Sequence, residues 1–90
     1  MRLDMFLKLS RLVPRRTQAQ EMCEAGAVKL NGSRAKSSRE VCEGDLLSIR
    51  GGGRVTTVRV AKVPAKAVSK REAASLYQPV SVENTASLID

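Results

Sequence analysis

Residues 2–32 read Arg-Leu-Asp-Met-Phe-Leu-Lys-Leu-Ser-Arg-Leu-Val-Pro-Arg-Arg-Thr-Gln-Ala-Gln-Glu-Met-Cys-Glu-Ala-Gly-Ala-Val-Lys-Leu-Asn-Gly. The spacing predicts two short amphipathic helices and then the opening of a β-hairpin. At about 100° per residue, Leu3, Phe6, Leu7 and Ser10 share one side of the first helix, and Asp4, Lys8 and Arg11 share another. An Asp4–Lys8 pair at i,i+4 would contribute only ~0.2–0.5 kcal/mol. Arg2, Arg11, Arg15 and Arg16 have no acid four residues away on either side. Asp4 is the only acid among the first sixteen residues, against five bases.

Pro14 cannot continue the first helix and restricts the residue before it. Thr17 and Gln20 have the spacing of a capping box, which predicts a second helix over residues 17–25. Ala19, Met22 and Cys23 then lie on one face, with Gln18, Glu21 and Glu24 turned away. Gly26 stands where a helix C-terminus favours a left-handed residue. Arg15 and Arg16 fall at the N-terminus of this helix, where the dipole favours anions and disfavours added positive charge. That mismatch marks the place as a candidate phosphate site.

Beyond Gly26, Val28 and Leu30 alternate with Ala27 and Lys29 as in a half-buried strand. Asn31-Gly32 is a strong type I′ hairpin signal, because both central positions of that turn need φ > 0. Residues 33–36 are expected as the return strand, with Arg34 and Lys36 on one face. A polar loop at 37–40 and a tight turn at Glu43-Gly44-Asp45 lead into a strand through Leu46, Leu47 and Ile49 to Arg50. Gly51-Gly52-Gly53 reads as a hairpin turn, since a phosphate-cradling glycine loop needs a following helix and a Val/Thr-rich strand follows here. Pro64 is expected to end the sheet. Ser69 and Glu72 repeat the capping-box spacing and predict a helix over 69–77 stopped by Gln78-Pro79, with residues 80–90 as a flexible tail.

Ninety residues make one compact unit with a modest core. The chain carries a net charge of +7. Residues 1–60 hold twelve bases and six acids, whereas residues 61–90 hold four bases and three acids. The positive field therefore belongs to the first two thirds and points to nucleic acid or an anionic surface. No apolar run approaches the ~20 residues of a membrane span. A signal peptide is also absent from the pattern, since Asp4, Lys8 and Arg11 interrupt the start, and a cytoplasmic location is expected. The chain has no histidine, and Cys23 and Cys42 match no metal spacing, so neither a metal nor another cofactor is expected. With no nucleophile–base pair either, an enzyme is not expected. Phe6 and Tyr77 are the only aromatics. Readers of single-stranded nucleic acid stack bases on aromatic platforms, so the arginines of this chain suit phosphates and the shape of a structured partner instead.

The two-helix start, the run Gly26-Ala27-Val28-Lys29-Leu30-Asn31-Gly32 and the Gly44-Asp45 pair together resemble the S4 RNA-binding domain family over about residues 1–60. In that family Arg2-Leu3-Asp4 opens the first helix, and an arginine at the position of Arg16 opens the second. The family's usual Ser-Arg is Arg15-Arg16 here, and its Pro-Ser is Ser37-Ser38. The resemblance implies an α+β fold of the S4 type (alpha-L). Two N-terminal helices pack on a small, mainly antiparallel sheet, and a short C-terminal helix follows. The expected division is an S4 domain over residues 1–63 and an extension over residues 64–90. Across its whole length, including Glu72-Ala73-Ala74 and Tyr77, the chain is similar to stand-alone S4 proteins of the RqcP (YabO) type, relatives of the small heat-shock S4 protein. That similarity implies a role in bacterial ribosome quality control. The expected partners are rRNA and peptidyl-tRNA on the large ribosomal subunit, and a factor that adds an alanine tail to the stalled chain. Off the ribosome the protein is expected to be a monomer. The same basic face would also suit a ribosome assembly factor or a structural ribosome-associated S4 protein. The candidate RNA contacts on the helical side are Arg2, Asp4, Lys8, Arg11, Arg15, Arg16 and Thr17. Those on the hairpin side are Lys29, Asn31, Arg34 and Lys36.

Overall fold

The computed structural model describes residues 1–84. Helix α1 spans Leu3–Leu9 and α2 spans Arg16–Glu24. Strands β1 (Val28–Leu30), β2 (Ser33–Arg34), β3 (Leu46–Gly51) and β4 (Arg54–Val60) follow. Then come a one-turn helix α3 (Lys70–Ala73), a 3₁₀ turn (Ala74–Leu76) and strand β5 (Tyr77–Asn84). The strands form one antiparallel sheet in the order β2-β1-β3-β4-β5.

The apolar side read for α1 is the buried one. Leu3, Phe6 and Leu7 join Ala19 and Cys23 of α2 and Val28, Leu30, Leu47, Ile49, Val58 and Val60 of the sheet in a single core. The first amides of α1 have no partner within the helix. The loop after β2 supplies two, with Leu3 N–H donating to the Arg39 carbonyl at 2.8 Å and Asp4 N–H to that of Ser37 at 3.1 Å. At its other end α1 closes before Arg11, which holds a left-handed φ of 62°. Gly26 holds φ 76° just after α2, as its spacing implied.

The Asn31-Gly32 turn has φ of 53° and 84°, the positive pair that a type I′ hairpin requires. Asn31 does more than turn the chain. Its Oδ1 accepts from Leu46 N–H at 2.9 Å and its Nδ2 donates to Asp45 Oδ1 at 3.1 Å, tying the β1–β2 turn to the start of β3. The return strand is shorter than expected and ends at Arg34. Gly52 and Gly53 turn β3 into β4 with positive φ at both positions, as a hairpin turn.

Several expectations are corrected. Thr17 is not an N-cap: α2 begins at Arg16, its N-cap Arg15 is extended, and no side chain caps it. Gln20 is thereby released for another partner. Ser69 does cap α3 by accepting from Glu72 N–H at 3.2 Å, but the helix runs for one turn only. Pro64 does not end the sheet, and Tyr77 starts a strand rather than closing a helix. β5 pairs with β4 from Arg54↔Asn84 to Val60↔Tyr77, with an irregularity at Thr57/Val58 that absorbs the extra residue Val80. The part of the expected tail from 80 to 84 is therefore sheet, and the rest lies outside the described residues. Leu76, just before β5, is buried in the core, and its carbonyl accepts from the N–H groups of Ala61 and Lys62. Cys23 is buried as its helix face implied, and Cys42 is exposed.

Candidate nucleic-acid interface

The centre of the helical side is a carboxylate. Asp4 lies on α1 where α2 crosses it, and its side chain is fully buried. A buried carboxylate stays ionised only if donors replace its water. Arg2 donates from Nε to Oδ1 at 3.2 Å and from Nη2 to Oδ2 at 3.3 Å. Arg16 donates from Nε to Oδ2 at 3.2 Å, and Gln20 from Nε2 to the same oxygen at 2.8 Å. The Met5 N–H completes the set at 2.8 Å. Burial alone would push this carboxyl up. The hydrogen bonds from Gln20 and Arg16, the Arg16 charge and the Met5 amide outweigh that and hold it below the ordinary value of 3.8.

The consequence for the arginines is geometric. Arg2 is held through Nε and Nη2 and Arg16 through Nε, while each side chain stays partly open, at 49% exposure for Arg2 and 38% for Arg16. Two guanidinium groups separated by fourteen positions in sequence thus stand side by side on one carboxylate, and together they keep a net positive charge. A guanidinium presents a planar fork that matches a phosphate. Arg15 adds an exposed charge at the N-cap of α2, whose first turn holds no acid. Met1, Arg2, Met5 and Arg16 line one shallow hollow of about 490 Å³ with residues 63–65.

The remaining candidates divide. Lys8, Arg11 and Thr17 are exposed on the helical side, and Lys8 and Arg11 border one hollow with Pro14. Lys29 and Lys36 are exposed as well. Lys36 flanks a groove of about 820 Å³ with Ser37, Ser38 and the end of α2. Three expectations change. Asp4 does not share a solvent face with Lys8, because its side chain is buried under the two arginines. Arg34 is engaged by the fold: its Nη2 donates to the Glu24 carbonyl, and its side chain lies along Gly26. A cation there suits the negative end of α2. The amide of Asn31 is likewise occupied within the fold.

Sequence reasoning missed Gln20, whose spacing from Thr17 read as a capping box. Its i+4 spacing from Arg16 was the available signal, since both then face α1. It also missed that Arg16 has an acidic partner twelve residues away.

Comparison with known proteins places this geometry. A model of the S4 domain family matches residues 1–47. The RQC P-site tRNA stabilizing factor of Halalkalibacterium halodurans is 50% identical over 78 residues, covering 87% of this chain and 88% of that protein. The trimeric structure of Vibrio cholerae Heat Shock Protein 15 superposes with a TM-score of 0.83 at 33% identity, covering 90% of this chain and 82% of that one. The solution structure of the hypothetical protein HP1423 superposes with a TM-score of 0.78 at 38% identity, covering 90% and 98%. The chain belongs to the S4 domain family of RNA-binding proteins, in the same family as the RQC P-site tRNA stabilizing factors.

Proposed function

We propose that this protein is a non-catalytic RNA-binding factor of ribosome-associated quality control that holds peptidyl-tRNA on stalled large ribosomal subunits. The observation that carries the reading is the Asp4-anchored pair of Arg2 and Arg16 at the head of α2. The relatives of 40–50% identity that bear the name RQC P-site tRNA stabilizing factor support the setting.

The chemistry follows from the anchoring. Free arginine side chains lose rotamer freedom when they bind phosphate, at about 0.5–1.5 kcal/mol for each immobilised side chain. Asp4 has already ordered both, so part of that cost is met on folding. Phe6 is buried and Tyr77 half-buried, so bases find no exposed aromatic surface among the described residues. Recognition then rests on phosphates, the 2′-OH and the shape of folded RNA. Within this proposal the protein works in the cytoplasm as a monomer when off the ribosome. It contacts rRNA together with tRNA, and supports alanine tailing of the stalled chain by a partner factor.

Sucrose-gradient profiles test the function. The protein is expected on large subunits that carry peptidyl-tRNA and is expected to be scarce on 70S ribosomes and polysomes. An even, stoichiometric distribution over all ribosomes would replace the proposal with a structural ribosomal role. Enrichment on immature particles would replace it with an assembly role.

A further inference from the structure

The sheet has a second face, and it is basic. Alternation along β1, β3 and β4 sends Val28, Leu30, Leu47, Ile49, Val58 and Val60 into the core against the helices. The cross-strand register then sets Lys29, Ser48, Thr57 and Ser81 in one row on the opposite face. The row on one side of it holds Arg50, Val55 and Glu83, and the row on the other holds Leu46, Arg59 and Gln78. Lys29, Arg50 and Arg59 are exposed.

Four features of this face point to an anion. Lys29 stands directly opposite Arg34 on β2, and like charges in that relation destabilise a sheet. Neither Lys29 nor Arg50 forms an ion pair among the described residues. Both border one small hollow of about 140 Å³, together with Gly26, Ala27, Ser48 and Val55. Glu83 is the only acid in the three rows among the described residues.

We propose that this open sheet face, centred on Lys29 and Arg50, is a second binding site for an RNA phosphate backbone, separate from the Arg2–Arg16 site. Charge complementarity selects the occupant, and the lack of an exposed aromatic side chain on the face makes it a backbone rather than a base contact. The inference rests on the RNA-binding reading above and extends it. The helices cover one face of the sheet and Lys29 and Arg50 leave from the other, so one chain holds two RNA segments at once.

The test uses the full chain and a short RNA duplex as probe. Three proteins are compared by native mass spectrometry for the number of duplexes bound, and by filter binding across a salt series. They are the unaltered chain, Lys29→Gln with Arg50→Gln, and Arg16→Gln. A second double variant with Thr at both strand positions serves if Gln disturbs the fold, since Thr suits strands. The unaltered chain should load two duplexes and each variant one. The Lys29/Arg50 variant should also flatten the slope of log K against log salt by about two. A Lys29/Arg50 variant that still loads two duplexes with an unchanged slope overturns the sheet site. If Arg16→Gln keeps both duplexes at unchanged affinity, Arg16 is removed from the helical site of the proposed function and the sheet site stands. Binding of the unaltered chain to phosphatidylserine vesicles in preference to RNA, lost on changing Lys29 and Arg50, overturns RNA as the occupant.

Discussion

At the scale of single residues the decisive group is the carboxylate of Asp4. Five donors converge on it, from Arg2, Met5, Arg16 and Gln20, and both arginines reach solvent. The charge of Arg16 at the head of α2 is therefore compensated, by Asp4 from the neighbouring helix. This changes which substitution isolates its role. Arg16→Glu would set a second carboxylate against a buried one and disturb the fold. Arg16→Gln keeps a donor and removes the charge. It should leave the thermal midpoint within a few degrees and weaken RNA binding, with the salt slope reduced by about one. An unchanged affinity and slope at all salt concentrations would take Arg16 out of the interface. Asp4→Asn should instead destabilise the domain by about 1–3 kcal/mol at neutral pH, because it strips a satisfied buried network of its acceptor charge. The pH dependence has a definite sign. A carboxyl held below its unfolded value stabilises the fold above that value and ceases to do so as pH falls through the folded pKa. The unaltered protein should thus lose stability on acidification below about pH 4, and Asp4→Asn should lack that component. Denaturant titrations of both proteins from pH 7 to pH 3 measure the difference, and parallel curves would mean that Asp4 does not link pH to folding.

At the scale of elements, the hairpins and the C-terminal strand set the shape. The turn at Asn31-Gly32 places Gly32 at φ 84°, where an added Cβ would find no atom within 4 Å. A side chain there meets no neighbour, so the cost of Gly32→Val is purely that of the backbone, about 1–3 kcal/mol. For a domain this small that corresponds to a fall in Tm of roughly 4–8 °C per kcal/mol. An unaltered Tm would show that the turn relaxes to another type. Leu76 tests the C-terminal segment. It is 1% exposed and ends the 3₁₀ turn, immediately before β5. Leu76→Ala should cost about 2–4 kcal/mol through lost burial and a residual cavity. A loss below about 0.5 kcal/mol, the range of a surface change, would mean that the segment from 70 onward is an appendage rather than part of the core.

At the scale of the whole molecule the controlling quantity is charge arranged on two faces. Twelve bases and six acids lie in residues 1–60, and the fold distributes them between the helix pair and the open sheet. Association led by about four to six phosphate contacts gives a slope of log K against log salt of roughly −3 to −5. Filter binding with a structured RNA across a salt series measures it, and a slope near zero would exclude phosphate-led binding. No helix among the described residues is long and apolar enough to cross a membrane.

What residues 2–32 determined by themselves is the kind of information that is local. Apolar spacing set which side of α1 is buried, Gly26 and Asn31-Gly32 set the backbone where φ must be positive, and the excess of arginine set the class of partner. Each of these depends on neighbours within a turn or two of chain. Tertiary structure alone decided the rest. The Asp4–Arg16 pair spans twelve residues and exists only because α2 crosses α1 there. The capping-box spacing at Thr17 gave way because Gln20 gains more from a buried carboxylate than from an exposed helix end, a comparison no local pattern contains. Likewise, the stretch from Tyr77 to Asn84 alternates weakly and carries Pro79, features of an edge strand, and only the open edge of β4 supplied its partner. A strand in such a position takes its hydrogen bonds from a distant segment, so its own residues cannot announce it.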